Sequence, residues 1–147
     1  MKINLIVVGK LKEKFLVDGV AEYLKRLKKF ARVEVREIPE CRTLNEEGQK
    51  ILSLVPKDSW LCVLDVSGTE LTSEDFAKKI AALALGGVSN LTFVIGGAFG
   101  LSEELRQAAS FRLSLSEMTL THQMARLVLV EQIYRAFKIN RHEPYHW

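Results

Sequence analysis

The residues best equipped for chemistry in this chain lie at its end and in three short stretches before it. "INRHEPYHW" (139–147) closes the sequence with Pro144, Tyr145, His146 and Trp147, where chains ordinarily fray into small polar residues. Histidine titrates near neutral pH and tyrosine can stack or hydrogen-bond. The unit therefore either packs onto the body as a plug or reaches a site and helps with its chemistry. Pro144 restricts the residue before it and stiffens the approach. Upstream, Arg135 follows Glu131 at the spacing of an i,i+4 ion pair; the other reading turns Arg135 toward a site near a subunit boundary. "IGGAFG" (95–100) places Gly96, Gly97 and Gly100 between an apolar run and a helical stretch. That is either a tight structural turn or a place where backbone approaches a ligand closely. The pattern is GGxxG, not GxGxxG. Glu117 lies about twenty residues further on, where a ribose-binding acid would stand, but in a polar turn and not at the end of a clean strand. "LDVSG" (64–68) and "SLSEMTL" (114–120) are two further polar segments that follow apolar runs.

These segments need a frame, and the hydropathy pattern supplies one. "INLIVV" (3–8), "WLCVLDV" (60–66) and "LTFVIGG" (91–97) read as buried strands, the latter two as central parallel ones. "VEVREI" (33–38) alternates like a strand exposed on one side, and 111–120 contains a short polar strand. Between them, 15–30 carries Val20, Tyr23, Leu24 and Leu27 at helical spacing with lysines on the other face. A short helix over 46–55 stops before Pro56. Thr72 and Asp75, in capping-box spacing, open a helix closed by Gly86-Gly87, another begins near Ser102, and a long one spans 122–138. The alternation predicts one α/β domain over 1–147, with a mainly parallel sheet and helices on both faces. Ligands in such sheets sit beyond the carboxyl ends of strands, where the three loaded segments fall. The last helix is apolar over most of its circumference, which predicts burial on more than one side and a second subunit against it.

Composition narrows the classes of function. A 48% hydrophobic and 27% charged chain is an ordinary globular protein, and no apolar run approaches the ~18–20 residues of a membrane span. "MKINLIVVGK" lacks a cleavage site and reads as a strand, not a signal peptide. Cys41 and Cys62 are too few for a disulfide framework, which points to a reducing cytoplasm. With His122, His142 and His146 they make no zinc spacing, so no metal is expected. Net charge is +3, but residues 2–36 hold ten Lys and Arg against four acids. That excess is either a solvated helix face or a surface for nucleic-acid phosphates. P-loop, GxSxG and HExxH patterns are missing from the sequence.

"LDVSGTELTSEDFA" (64–77), "FVIGGAFGLSEEL" (93–105), "LSLSEMTLTHQMARLVLVEQIYRAFKI" (113–139) and the terminal "PYH" together resemble the bacterial ribosomal RNA large-subunit methyltransferase H family, of the knotted SPOUT class. The resemblance runs the length of the chain in order and spacing. It implies a trefoil knot toward the C-terminal half, which topology rules alone disfavour. It also implies a homodimer and S-adenosylmethionine as methyl donor. The acceptor it implies is ring nitrogen 3 of a pseudouridine in 23S rRNA of the assembled ribosome. Carried over by position, the donor pocket comprises Leu64, Gly96, Leu115, Ser116, Glu117, Met118, Thr119 and Leu120. Ser116 and Thr119 have a second reading as caps of the next helix, and Glu117 as an exposed loop acid. Catalysis falls to His146, Tyr145 and Arg135. The tail of one subunit then enters the donor pocket of the other, and Arg135 holds a phosphate. His146 serves there as a general base or as a positioner. Three positions depart from the family pattern: Ala98 where proline is common after "IGG", His142 where a glycine often precedes the terminal unit, and Trp147 where a basic residue is common. Two rival functions are a SPOUT enzyme on another RNA and a catalytically silent ribosome-binding factor.

Overall fold

The apolar run at the amino terminus forms β1 (Lys2–Val8), whose side chains from Ile3 onward are all buried. A strand buried on both faces needs helices above and below it, and the computed structural model, which describes residues 1–146, supplies them. The order is β1, α1 (Lys14–Leu27), β2 (Arg32–Ile38), α2 (Leu44–Leu54), β3 (Trp60–Glu70), α3 (Ser73–Leu85), β4 (Asn90–Ile95), α4 (Glu103–Ala108), β5 (Phe111–Ser114) and α5 (His122–Asn140). The five strands lie in the order β2-β1-β4-β3-β5, and every pairing is parallel. The expected α/β frame is therefore present.

Two clusters divide the core by face. Ile3, Leu5, Val7, Cys62 and Phe93 point to the layer of α1, α3 and α5, meeting Val20, Phe76, Ile80, Leu129 and Ile133. Ile6, Val8, Val63 and Val94 point to the other layer, meeting Ile51 of α2 and Leu105 of α4. The helices start where their caps require. Thr43, Thr72, Ser102 and Thr121 each accept a hydrogen bond from the backbone N–H three residues on.

Two expectations change in detail. β3 runs to Glu70, past the 60–66 of the apolar run, because Thr69 and Glu70 pair with Leu113 and Ser114 of β5. Leu64 also pairs with Leu113, so Asp65–Gly68 bulges out between two partners of one residue. Gly68 is required there: a Cβ would lie 2.6 Å from the Arg112 carbonyl oxygen. Within the chain α1 and α3 flank α5 over the sheet; Arg126, Leu129, Val130, Ile133 and Ala136 are buried, and the rest of the helix is half-buried.

The end of α5 fixes where the tail leaves. His142 N–H donates to the Ile139 carbonyl and Glu143 N–H to the Lys138 carbonyl, the paired bonds of a Schellman motif. His142 takes the left-handed position at φ 56°, the conformation glycine adopts most cheaply. The family's glycine at this point thus has a backbone reason. Trp147 lies outside the described residues.

Candidate active site

Three strands deliver the first group of candidate residues to one edge of the sheet. Leu64 ends the regular part of β3, half-buried against the core. Beyond it the Asp65 carboxylate is buried and accepts from both the N–H and the hydroxyl of Ser67 at 3.0 and 2.9 Å. Its other oxygen lies 3.2 Å from Arg106 Nε and 3.6 Å from Arg112. Burial pushes this carboxyl up, but the Ser67 bonds and the two guanidiniums outweigh it and hold it below the usual carboxylate range. β4 runs into Gly96, where a Cβ would sit 2.6 Å from the Gly100 carbonyl oxygen. Gly100 N–H donates back to the Gly97 carbonyl, and Gly100 itself stands at φ 87°. The glycines therefore make a tight turn, which lifts Phe99 to 82% exposure.

β5 supplies the third loop. Leu115 packs against the same core cluster as Leu64. The Ser114 hydroxyl donates to the Ser116 carbonyl, and the Ser116 hydroxyl accepts from Met118 N–H. The cap of α5 is Thr121, so neither Ser116 nor Thr119 performs that task. Glu117, Met118 and Thr119 are exposed, Met118 to 79%, while Leu115, Ser116 and Leu120 are half-buried. Leu64, Gly96 and 115–120 thus meet at the carboxyl edge of β3, β4 and β5. They offer apolar side chains and a stretch of backbone outside any helix or strand.

The second group gathers on the far half of α5. Arg135 makes the expected ion pair with Glu131 at 2.7 Å. Tyr145 donates its phenol proton to Glu131 Oε1 at 2.8 Å and lies 3.1 Å from the Tyr23 hydroxyl. Its ring stands edge-on to Tyr134 with centroids 4.8 Å apart, beneath the Arg135 guanidinium. His146 Nδ1 is 2.9 Å from Arg135 NH1, and His146 Nε2 is 2.8 Å from Glu74 Oε1. A guanidinium only donates, so Nδ1 accepts and Nε2 carries the proton it gives to Glu74. The bond to His146 draws the Glu74 carboxyl below its ordinary value. Burial first, then the bonds to Tyr23 and Glu131, push the Tyr145 phenol far up, so it stays protonated at any physiological pH. The bond to Glu131 raises Arg135.

In this arrangement the tail orders hydrogen bonds, and the free lone pair of His146 is already taken by Arg135. Among the described residues no hydrogen bond or ring contact joins the two groups. Along α5, Thr121 and Arg135 are separated by roughly 20 Å at 1.5 Å per residue. Sequence reading missed Glu74 and Tyr23 as partners of the tail, since neither carries a local signal. It also passed over Arg126, an arginine in the same helix as Arg135, which is 3% exposed and binds Glu37 and the Gly9 carbonyl. That anchor ties α5 to the ends of β1 and β2.

A parallel sheet with glycine and polar loops at its carboxyl edge, flanked by an apolar last helix, is an α/β frame with a ligand-binding edge. A family model described as a predicted SPOUT methyltransferase matches residues 1–146. Curated relatives called ribosomal RNA large subunit methyltransferase H come from Halothermothrix orenii, 48% identical, and Enterococcus faecalis, 46% identical, each over 99% of both chains. A solved structure of a probable methylase family protein from Haemophilus influenzae Rd KW20 superposes with a TM-score of 0.55 at 12% identity; it covers 95% of this chain, which spans 66% of that one, and it supports the fold alone. The chain belongs to the SPOUT methyltransferase family, within the group of ribosomal RNA large subunit methyltransferase H. Among the described residues no three His, Cys, Asp or Glu side chains are gathered as a metal ion needs, and no helix is long and apolar enough to cross a membrane.

Proposed function

We propose that this protein is an S-adenosylmethionine-dependent methyltransferase of the large ribosomal subunit, acting in the cytoplasm on ring nitrogen 3 of a pseudouridine in 23S rRNA. The single observation that carries the reading is the meeting of Leu64, Gly96 and 115–120 at one sheet edge. The residues suit the donor. Half-buried Leu64 and Leu115 offer apolar cover for a base, and the irregular backbone of 117–120 offers N–H and C=O groups to its edge. S-adenosylmethionine supplies an activated methyl group on a sulfonium. Everything else falls to the chain, which must align the acceptor nitrogen and hold its surroundings.

The protein acts as a homodimer in which the tail of one subunit faces the loops of the other. Two features support this. Within one chain the groups lie at different ends of α5, and Val66, Phe99 and Met118 project apolar side chains from the three loops, 75%, 82% and 79% exposed. Opposite the loops, Tyr145 presents its ring, its proton being held by Glu131, and His146 is a positioner whose tautomer Arg135 sets. The arginine is thereby an organiser of the tail, and a phosphate would have to compete with Glu131 for it. The knot belongs to the same proposal, as does action of residues 1–147 as one domain.

Methyl transfer from labelled donor to intact ribosomes, isolated large subunits and naked rRNA, run side by side, tests the reading. Label in a 23S pseudouridine is the expected result. Label in another RNA would reassign the substrate, and no label despite ribosome binding would leave a binding factor.

A further inference from the structure

Methyl transfer to a ring nitrogen that carries hydrogen needs a group to take that proton, and the tail is poorly placed to do so. Tyr145 keeps its own proton on Glu131, while His146 accepts from Arg135 with Nδ1 and donates to Glu74 with Nε2. The buried Asp65 carboxylate is occupied by Ser67 and two arginines. A free imidazole stands at the other end of α5. His122 is the first residue of that helix, two positions after Leu120 of the donor loop, and it is half-buried. Neither of its ring nitrogens has a hydrogen-bond partner among the described residues. Nε2 stands over Gly9, where an added Cβ would find it at 3.9 Å as its nearest contact beyond the chain neighbours. The surroundings hold this placement. Gly9, at φ 86°, turns the chain out of β1; its N–H donates to the Ile38 carbonyl and its own carbonyl accepts from Arg126. Lys12 N–H donates to Gln123, the neighbour of the histidine. β1 and β4 pair in register as far as Val7 and Ile95, so Gly9 leaves the sheet next to the Gly96 turn. The bare backbone of Gly9 thus leaves room between the donor loops and an uncommitted imidazole nitrogen.

We infer that His122 is the proton acceptor of the reaction, and that the target ring lies over Gly9 with its N3–H toward His122 Nε2. In the transfer the N3 proton passes to Nε2, and the electron pair of that bond stays on nitrogen. The pair forms the new bond to the methyl carbon, while the carbon–sulfur pair remains with sulfur as a neutral thioether. One positive charge enters on the sulfonium and one leaves on the imidazolium, so the step balances. Histidine is the side chain best matched to such a proton transfer near neutral pH; a carboxylate is ordinarily too weak a base. His142, the remaining histidine, is exposed just beyond the far end of α5. The labour is thereby divided. The tail of one subunit orients the ring, and the subunit that holds the donor takes the proton. The assignment rests on the proposed methyl transfer and adds the proton acceptor which that reaction requires.

Two measurements test it. His122→Asn should lower kcat for methyl transfer to large subunits by about 10²–10⁴-fold, the usual contribution of a general base. Donor affinity, by calorimetry, and subunit affinity, by sedimentation, should stay as in the wild type, since neither includes the proton transfer. Carbethoxylation with diethyl pyrocarbonate, located by mass spectrometry, reads the imidazole without any turnover, because the reagent attacks a free unprotonated ring nitrogen. His122 should react faster than His146, whose two nitrogens are both bonded, and should lose most of that reactivity when large subunits are added without donor. Wild-type kcat in His122→Asn would overturn the assignment, as would a loss that appears in donor or subunit affinity instead. Unchanged reactivity of His122 on the subunit would overturn the placement of the target ring. If His122→Asn melts at lower temperature, the footprint decides. Failure of the underlying reading looks different: the wild-type protein itself would then transfer no methyl group to a 23S pseudouridine.

Discussion

From Ser116 to Thr119 the chain rests on short-range hydrogen bonds and leaves Met118 largely in solvent. Tyr145 and His146, by contrast, are tied to α1, α3 and α5, with their polar atoms satisfied by Tyr23, Glu131, Arg135 and Glu74. One region is open and poorly committed; the other is organised before anything binds. The difference assigns them different work. An exposed loop with free backbone can close on a ligand, whereas a network that fixes a tautomer and keeps a phenol protonated contributes orientation. Rigid positioning lowers the entropy cost of bringing acceptor and methyl group into line.

The comparison breaks most visibly if the tail is removed. Truncation after Glu143 should abolish methyl transfer to ribosomes while the protein stays folded, as read by labelled-donor incorporation alongside circular dichroism. If the tail is only packing, transfer per folded molecule will persist and the melting temperature will fall instead.

Gly96→Ala probes the other region. The new Cβ meets backbone at 2.6 Å, so a loss of about 2–3 kcal/mol in urea unfolding and of donor affinity is expected. A variant as stable as the parent would show that the turn is looser than described.

Asp65 anchors the base of the open end, and acid should loosen it. Its folded pKa lies below the unfolded value of about 3.9, so it stabilises above roughly pH 4 and that contribution disappears as pH falls through the folded value. Asp65→Asn should cost about 1–2 kcal/mol at neutral pH and flatten the acid limb of the stability curve. Identical acid limbs in urea titrations of both proteins would remove Asp65 from the account.

The smallest effect belongs to His142→Gly. Relieving the left-handed histidine, less the entropy glycine adds to the unfolded chain, should raise stability by about 0.5–1 kcal/mol in the same assay. A fall would mean that the histidine side chain is held by something more than its backbone.

Much of the frame was legible because apolar runs dictate buried strands. "WLCVLDV" and "LTFVIGG" read as central strands, and β3 and β4 are interior in the sheet. The extension of β3 was hidden, since Ser67, Gly68 and Thr69 look like a turn until Leu113 and Ser114 pair beside them. The Glu131–Arg135 pair could be read from spacing along one helix. Glu74 could not be linked to His146, because only the packing of α3 on α5 makes neighbours of residues so far apart in sequence. The same gap explains the apolar α5. Pattern predicted burial on more than one side, and tertiary structure named α1 and α3 as neighbours of a helix whose remaining surface is half-buried.

The central claim is that three loops at the sheet edge hold the methyl donor and the tail does not. Calorimetric titration of S-adenosylmethionine into the full-length protein and into the form ending at Glu143 tests it most directly. Saturable binding of similar strength to both is the predicted result; no binding to the folded full-length protein, or binding that vanishes with the tail, would contradict it.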